Sequence, residues 1–172
     1  MSFSFSLTDE GLTTERLVLR QWSTDELSAV LDGRRLAHWA EDYPAEGDRV
    51  IAGFISEHPD CLRQTYGQRL IVEREAGLVV GSIGLFWPPT DRAIEIGYGI
   101  VPSRRGRGYA TEATRALAGF VLAVPGVDIV YANVELSNPA SGRVLEKAGL
   151  RRVSSNAETA RYAATAADLL RA

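Results

Sequence analysis

The alternation of apolar and polar positions divides the chain into short periodic segments. Residues 16–22, Arg-Leu-Val-Leu-Arg-Gln-Trp, alternate with the two-residue period of a half-buried strand. Thr24 followed by Asp25, Glu26 and Leu27 has a capping hydroxyl and first-turn acids, which predicts helices over about 24–32 and 46–57. The aromatic, acidic stretch 39–44 joins them as a loop. Residues 68–75 and 78–87 are rich in β-branched and apolar side chains and flank Ala76-Gly77, which predicts a hairpin ended by Pro88-Pro89. A third neighbouring strand covers 93–101. Pro102 and a glycine-rich turn then lead into a helix over about 108–123, with Ala110, Ala113, Leu117, Phe120, Val121 and Val124 on one face. A strand over 129–136 follows. Asn138-Pro139 opens a helix to about 148, Gly149 caps it, and 150–154 returns as a strand. The order β, αα, βββ, α, β, α, β is a meander that changes to β-α-β-α-β. It predicts an α/β architecture with a mixed central sheet flanked by helices.

Composition narrows the class. A chain of 172 residues, 45% hydrophobic and 24% charged, without repeats or low-complexity linkers, is expected to form a single domain over 1–172. No apolar run approaches the roughly 20 residues of a membrane span. The first dozen residues lack the basic start and apolar block of a secretory leader, so a cytoplasmic protein is expected. The lone Cys61 excludes an internal disulfide and a cysteine cluster, and with only His38 and His58 as imidazoles no metal site is expected.

Nineteen bases against 22 acids give a net charge of −3, too balanced for a general nucleic-acid or membrane-surface binder. The charge is unevenly spread. Residues 1–60 carry 12 acids and five arginines, net −7, whereas 61–172 carry 10 acids and 14 bases, net +4.

The chemistry concentrates at 100–111, where a strand ends, Gly106 and Gly108 follow two residues apart, and a helix begins. Glycines there let the backbone approach a ligand without Cβ obstruction, so that successive N–H groups at the positive helix end can converge on a pyrophosphate. Arg104, Arg105 and Arg107 add countercharge. The stretch lacks the lysine and hydroxyl of a P-loop and the spacing of a dinucleotide-binding fingerprint. Taken alone, it also fits a helix-entry turn with surface arginines.

The run from Glu95 to Pro102 leading into Arg105-Gly106-Arg107-Gly108-Tyr109-Ala110-Thr111-Glu112-Ala113 resembles the acetyl-CoA-binding motif of the GNAT N-acetyltransferase superfamily. More narrowly, it looks like the ribosomal-protein N-acetyltransferase (RimJ/RimL-like) branch. The segment from Asn138 to Leu150 resembles that branch's NxxSxxxxEKxGF segment, and the opening from Thr14 to Arg20 resembles its first strand. The resemblance spans most of 13–153 and implies a GNAT fold and transfer of an acetyl group from acetyl-CoA to a primary amine, by direct attack in a ternary complex. It implies a cofactor site at Ile100, Val101, Arg105, Gly106, Arg107, Gly108, Tyr109, Ala110, Thr111, Asn138 and Ser141. A main-chain N–H near Ile100 or Val101 would hold the oxyanion, Glu95 would take the proton of the incoming ammonium, and Ser141 would protonate the departing thiolate. Two departures stand out: Ser103 opens the superfamily's [QR]xxGx[GA] signature, and Leu145 occupies the place of its usual acid tyrosine. After Val153 the fit fades.

Each residue also has a plainer reading. Asn138 before Pro139 is a good helix N-cap, Ser141 a first-turn serine, Glu112 an acid at a helix start, and Glu95 a strand-edge charge. Trp39, Tyr43 and Trp87 fit the core or its rim. A non-catalytic acyl-CoA-binding or sensing domain, and a transferase using a larger donor such as succinyl-CoA, stay open, as does a homodimer. Because the early helices form much of the acceptor site in the superfamily, Glu41, Asp42, Glu46, Asp48, Glu57 and Asp60 against only Arg49 in 41–60 predict a cationic acceptor, a small molecule or a protein N-terminus.

Overall fold

The computed structural model describes residues 5–172. Two short strands, β1 (Ser6–Thr8) and β2 (Gly11–Thr13), pair antiparallel ahead of β3 (Leu17–Gln21). Neither of the first two is in the expected order. Each has three residues, too few to show a period. Next come α1 (Thr24–Asp32) and α2 (Glu46–Glu57), with bounds as expected. The cap of α1, however, is Ser23 rather than Thr24: the Glu26 N–H donates to Ser23 Oγ (3.0 Å) and the Ser23 N–H to Glu26 Oε1 (3.1 Å). This reciprocal box satisfies two otherwise orphaned donors.

The meander β4 (Gln68–Glu73), β5 (Val79–Leu85), β6 (Ala93–Ile100) is antiparallel throughout. Then α3 (Tyr109–Leu122) crosses to β7 (Ile129–Glu135), which runs parallel to β6. After α4 (Pro139–Ala148) and β8 (Arg151–Ser155) the chain adds β9 (Thr159–Ala164) and α5 (Ala166–Arg171), two elements absent from the expected order. The sheet order is β1-β2-β3-β4-β5-β6-β7-β9-β8, so β9 inserts beside β7 and leaves β8 on the edge. Ala160, Tyr162 and Ala164 are buried at alternate positions of β9, a period of two that alanine, as a weak strand former, conceals.

Helices cover both faces of this sheet. On one side, Asp48 of α2 accepts from Ser82 Oγ of β5 (2.6 Å), and Phe54 packs on Phe86 just after β5. On the other, Leu117 of α3 and Leu145 of α4 are fully buried, and Arg115 donates to the carbonyls of Leu169 and Ala172 beside α5. Ile94 and Ile96 are buried on this side, whereas Glu95, between them, projects toward the α2 side. No described helix is long and apolar enough to cross a membrane.

One pairing matters most for the site. β6 and β7 share only three register pairs, Ala93 with Ile129, Ile94 with Val130 and Glu95 with Tyr131, after which they part. β6 runs on along β5 and β7 along β9, opening a wedge between them.

The α1 side is anchored by a buried carboxylate. Glu26 is 3% exposed and takes Arg20 Nη1 and Nη2 (both 2.7 Å) and His38 Nε2 (2.9 Å). Burial raises its pKa, but the Arg20 and His38 hydrogen bonds outweigh that and hold it at about 2. A carboxylate whose pKa falls on folding stabilises the native state above its unfolded pKa, and the contribution disappears as the pH drops through the folded value. Glu26→Gln is expected to destabilise the protein by about 3 kcal/mol at neutral pH. In denaturant melts at stepped pH, the gap between the two proteins should close between about pH 5 and pH 2.

Candidate active site

The turn between β6 and α3 begins with a spent donor. Val101 is fully buried and its N–H bonds the Val80 carbonyl (2.9 Å). The N–H of Phe86 likewise bonds the Glu95 carbonyl (3.1 Å). In an antiparallel ladder these contacts place the odd-numbered residues of β6 in the bonds to β5, so the main-chain groups of Tyr98 and Ile100 face the wedge. Consistent with this, Arg105 Nε donates to the Ile100 carbonyl (3.0 Å).

Gly106 (φ 76°) and Gly108 (φ 83°) both lie in the left-handed region, where a side chain would strain the backbone. Gly108 is the N-cap of α3 and supplies no side-chain acceptor. The first-turn N–H groups from Tyr109, Ala110 and Thr111 are therefore presented as a positive helix end.

Acidic side chains hold this turn from behind. Asp42 accepts from both the N–H (2.8 Å) and the Oγ (2.6 Å) of Ser103, tying the α1–α2 loop to the turn. The buried Glu73 accepts from Arg104 Nε (3.4 Å) and Tyr109 OH (2.8 Å) and lies 3.6 Å from Arg107 Nη1. Arg104 also donates to Glu41 (3.2 Å). Glu112 takes Thr14 Oγ1 (2.6 Å) and the main-chain N–H (2.9 Å) and Nε (2.8 Å) of Arg16. Burial opposes ionisation of Glu112, yet these bonds keep its carboxyl below the usual range. Glu112 thus fastens α3 to the start of β3.

In front of the turn lies a cleft of about 540 Å³ between the end of β6, the start of α3 and one face of α4. Ile100, Arg105, Gly106, Gly108, Tyr109, Ala110, Thr111, Asn138 and Ser141, all expected at a cofactor site, line it together. Val101 and Arg107 do not. Val101 is buried behind the strand, and Arg107 turns toward Glu73, with its carbonyl taking Arg16 Nη1 (2.6 Å).

The structure adds residues that the sequence reading passed over. Tyr98 lines the cleft and donates to the Ser141 carbonyl (3.1 Å), joining β6 to α4, and burial raises its phenol pKa. Arg143 and Lys147 bring two cations from α4. The lining positions Ala140, Arg143, Val144 and Lys147 are spaced i, i+3, i+4, i+7, a helical stripe that was available in the sequence. Its polar members disguise it as a solvated face.

Asn138 caps α4, as its plainer reading expects, and also bonds the Ser141 side chain. Its Oδ1 accepts from the Ser141 N–H (3.4 Å) as the α4 cap, and its Nδ2 donates to Ser141 Oγ (3.0 Å). That leaves the hydroxyl proton of Ser141 available to the cleft. Leu145 is fully buried in the core.

Glu95 stands apart from the cleft, half-exposed on the α2 side of the sheet, with Asn133 Nδ2 3.5 Å from its Oε2. Gly97 and Gly99 continue the same face of β6. A Cβ on Gly97 would meet only Phe86 (3.5 Å), and one on Gly99 would meet nothing within 4 Å. A shallow trough therefore runs along β6 past Glu95 to the wedge. Of the six acids expected to give this side a negative field, Glu41 pairs with Arg104, Asp42 is bound by Ser103, and Asp48 is buried at the start of α2. Trp39 and Tyr43 are core residues, and Trp87 stacks on Tyr66 at the rim.

Residues 16–151 match the model of the acetyltransferase (GNAT) domain. The chain is 27% identical over 146 residues to the uncharacterized N-acetyltransferase YoaA of Bacillus subtilis, covering 82% of each chain. The same fold is seen in an acetyltransferase (GNAT family) from Bacillus anthracis, with a TM-score of 0.66 at 20% identity over 90% of this chain and 98% of that one. It is seen also in RimL, a ribosomal L7/L12 alpha-N-protein acetyltransferase in complex with coenzyme A, with a TM-score of 0.67 at 16% identity over 91% of this chain and 97% of that one. With the family model spanning most of its length, the chain belongs to the GNAT acetyltransferase family.

Proposed function

We propose that the protein transfers an acetyl group from acetyl-CoA to a primary amine by direct attack in a ternary complex, in the manner of the RimJ/RimL-like branch. The carrying observation is the convergence in one cleft of the uncapped α3 N-terminus, the cations Arg105, Arg143 and Lys147, and the Ser141 hydroxyl. This donor set fits the co-substrate. Main-chain N–H groups and three cations suit a pyrophosphate and a further phosphate, while two glycines in the left-handed region keep Cβ atoms away from the turn.

The co-substrate supplies an activated acyl thioester, and the chain's residues do the rest. The wedge connects the cleft on the α3 side with the trough on the α2 side, so an amine lying along Gly97 and Gly99 can approach the acyl carbon from the opposite face of the sheet. Glu95 takes the proton that the ammonium must lose, directly or through a water. The Ile100 N–H, turned toward the wedge, meets the negative charge developing on the acyl oxygen. Val101 takes no part in this, since its N–H is already bonded. Ser141 gives its proton to the departing sulfur while Asn138 holds its oxygen. The net change is one amide formed and one thioester broken; of the two protons the ammonium loses, one is released through Glu95 and the other, carried by water, replaces the proton that Ser141 gives to sulfur. Cys61 lies in the 3-10 turn Pro59–Arg63, outside the cleft, which accords with a route lacking an acyl-enzyme.

Acetyl-CoA at a hundredfold excess over Kd is expected to stabilise the native chain by about 2.7 kcal/mol, seen as a rise in melting temperature. Gly108→Val should abolish that rise, because the new side chain strains the cap of α3 and sits 3.2 Å from Arg16 Nη2.

Two further variants separate binding from chemistry. Ser141→Ala should keep the acetyl-CoA melting shift and lower kcat by about 10² or more, since a proton donor acts in the transition state. Glu95→Gln should likewise retain the shift and lose turnover. Unchanged rates in either variant would return that residue to its structural reading.

A further inference from the structure

Resting on the acetyltransferase reading, we infer that the acceptor carries a carboxylate, or a similar planar anion, a few bonds from its amine, and that Arg161 binds it. Arg161 lies on β9, opposite Asn133 of β7. Its Nε donates to Asn133 Oδ1 (3.0 Å), and its guanidinium carbon lies 4.3 Å from the centre of the Tyr131 ring. Asn133 in turn reaches Glu95 with its Nδ2 (3.5 Å). Glu95, Asn133, Tyr131 and Arg161 thus share one face of the sheet, and the row runs from the candidate base at the trough to a cation two strands away.

The guanidinium is held but not neutralised. The ring beneath it and the bond at Nε fix its plane, while among the described residues its two terminal nitrogens have no hydrogen-bond partner and no carboxylate lies within ion-pair distance. Glu135, two residues further along β7, accepts from Ser137 instead. A planar fork with both ends open and its orientation fixed is the geometry that receives a carboxylate through two parallel bonds. Ordering Arg161 beforehand removes part of the entropy such a contact would otherwise cost.

The opposing expectation, a cationic acceptor, relied on the acids of residues 41–60. Of those, Asp48 is buried on Ser82, Asp42 is held by Ser103 and Glu41 is paired with Arg104 at the surface. On the sheet face that carries the trough, Glu95 is matched to an ammonium and Arg161 to an anion. An α-amino acid, or a short peptide with an acidic group near its amine, satisfies both.

The test uses the full chain with acetyl-CoA and matched acceptors: the common L-amino acids, the amide of each, and spermidine. Thiol release gives kcat and KM. At least one acid is expected to exceed its amide by about tenfold in kcat/KM, chiefly through KM. In Arg161→Gln that preference should fall to about unity with kcat nearly retained, and Arg161→Lys, which restores charge without the fork, should recover part of it. Amides or spermidine used as well as the acids, or an unchanged preference in Arg161→Gln, would overturn the inference.

A second readout needs no turnover. Modification of Arg161 by phenylglyoxal, mapped by peptide mass spectrometry, should be slowed by N-acetyl amino acids and not by their amides. Absence of protection overturns the anion site. Protection without turnover of any amine sustains the site and counts instead against the acetyltransferase reading.

Discussion

The parting of β6 from β7 is the constraint on which the site depends. Three parallel register pairs join the two strands, and beyond Glu95 and Tyr131 each follows a different neighbour. A continuous sheet would bond the main-chain groups of Tyr98 and Ile100 to β7 and would separate its two faces completely. Because the ladder stops, those groups point into a wedge, and a residue on one face can act on a molecule held at the other. Splaying costs the hydrogen bonds of the missing pairs. The sheet recovers order on both sides of the wedge, through the antiparallel pairing of β6 with β5 and of β7 with β9.

A second layer of physics governs charge. The turn before α3 is rich in arginine, and a positively charged turn at a positive helix end would be unfavourable if left alone. The buried Glu73 binds Arg104 and Arg107 from the core side, the exposed Glu41 takes Arg104 at the surface, and Asp42 holds Ser103, which leaves Arg105 and the helix end for a ligand. The ion pair of Glu41 with Arg104 and the hydrogen bonds of Asp42 to Ser103 tie the acidic front of the chain to its basic back. Ser103 illustrates the exchange: at a position where the superfamily signature has a longer polar side chain, its hydroxyl and N–H are devoted to Asp42, which couples the turn to the loop between α1 and α2.

Much of the architecture is legible in the pattern of side chains. The strands and helices from β3 to β8 follow from periods of two and 3.6 residues, and the site at α3 follows from two glycines between a strand and an amphipathic helix. The misses have physical causes. β1 and β2 are too short to show a period, and β9 is written in alanine and arginine, which read as neither strand nor core. The stripe of Arg143 and Lys147 on α4 resembles any solvated helix face until α3 lies opposite it.

By itself, then, the sequence determined which segments form strands and helices, where the backbone can take up a left-handed turn, and which family's motifs lie in order along the chain. These are local properties, set by side-chain period, by the missing Cβ of glycine and by spacing within a few turns. Only the tertiary structure decided which charges remain free. Glu41 and Arg104 are 63 residues apart, and Glu112 and Arg16 are 96 apart. Nothing in the spacing of such residues says that they will cancel. Conversely, Arg161 looks like one arginine among many until β9 enters the sheet beside β7, where Asn133 and Tyr131 hold it without neutralising it. Charge balance at a site is a sum over neighbours in space, and the partners of Arg104, Arg107 and Arg161 come from segments distant in sequence.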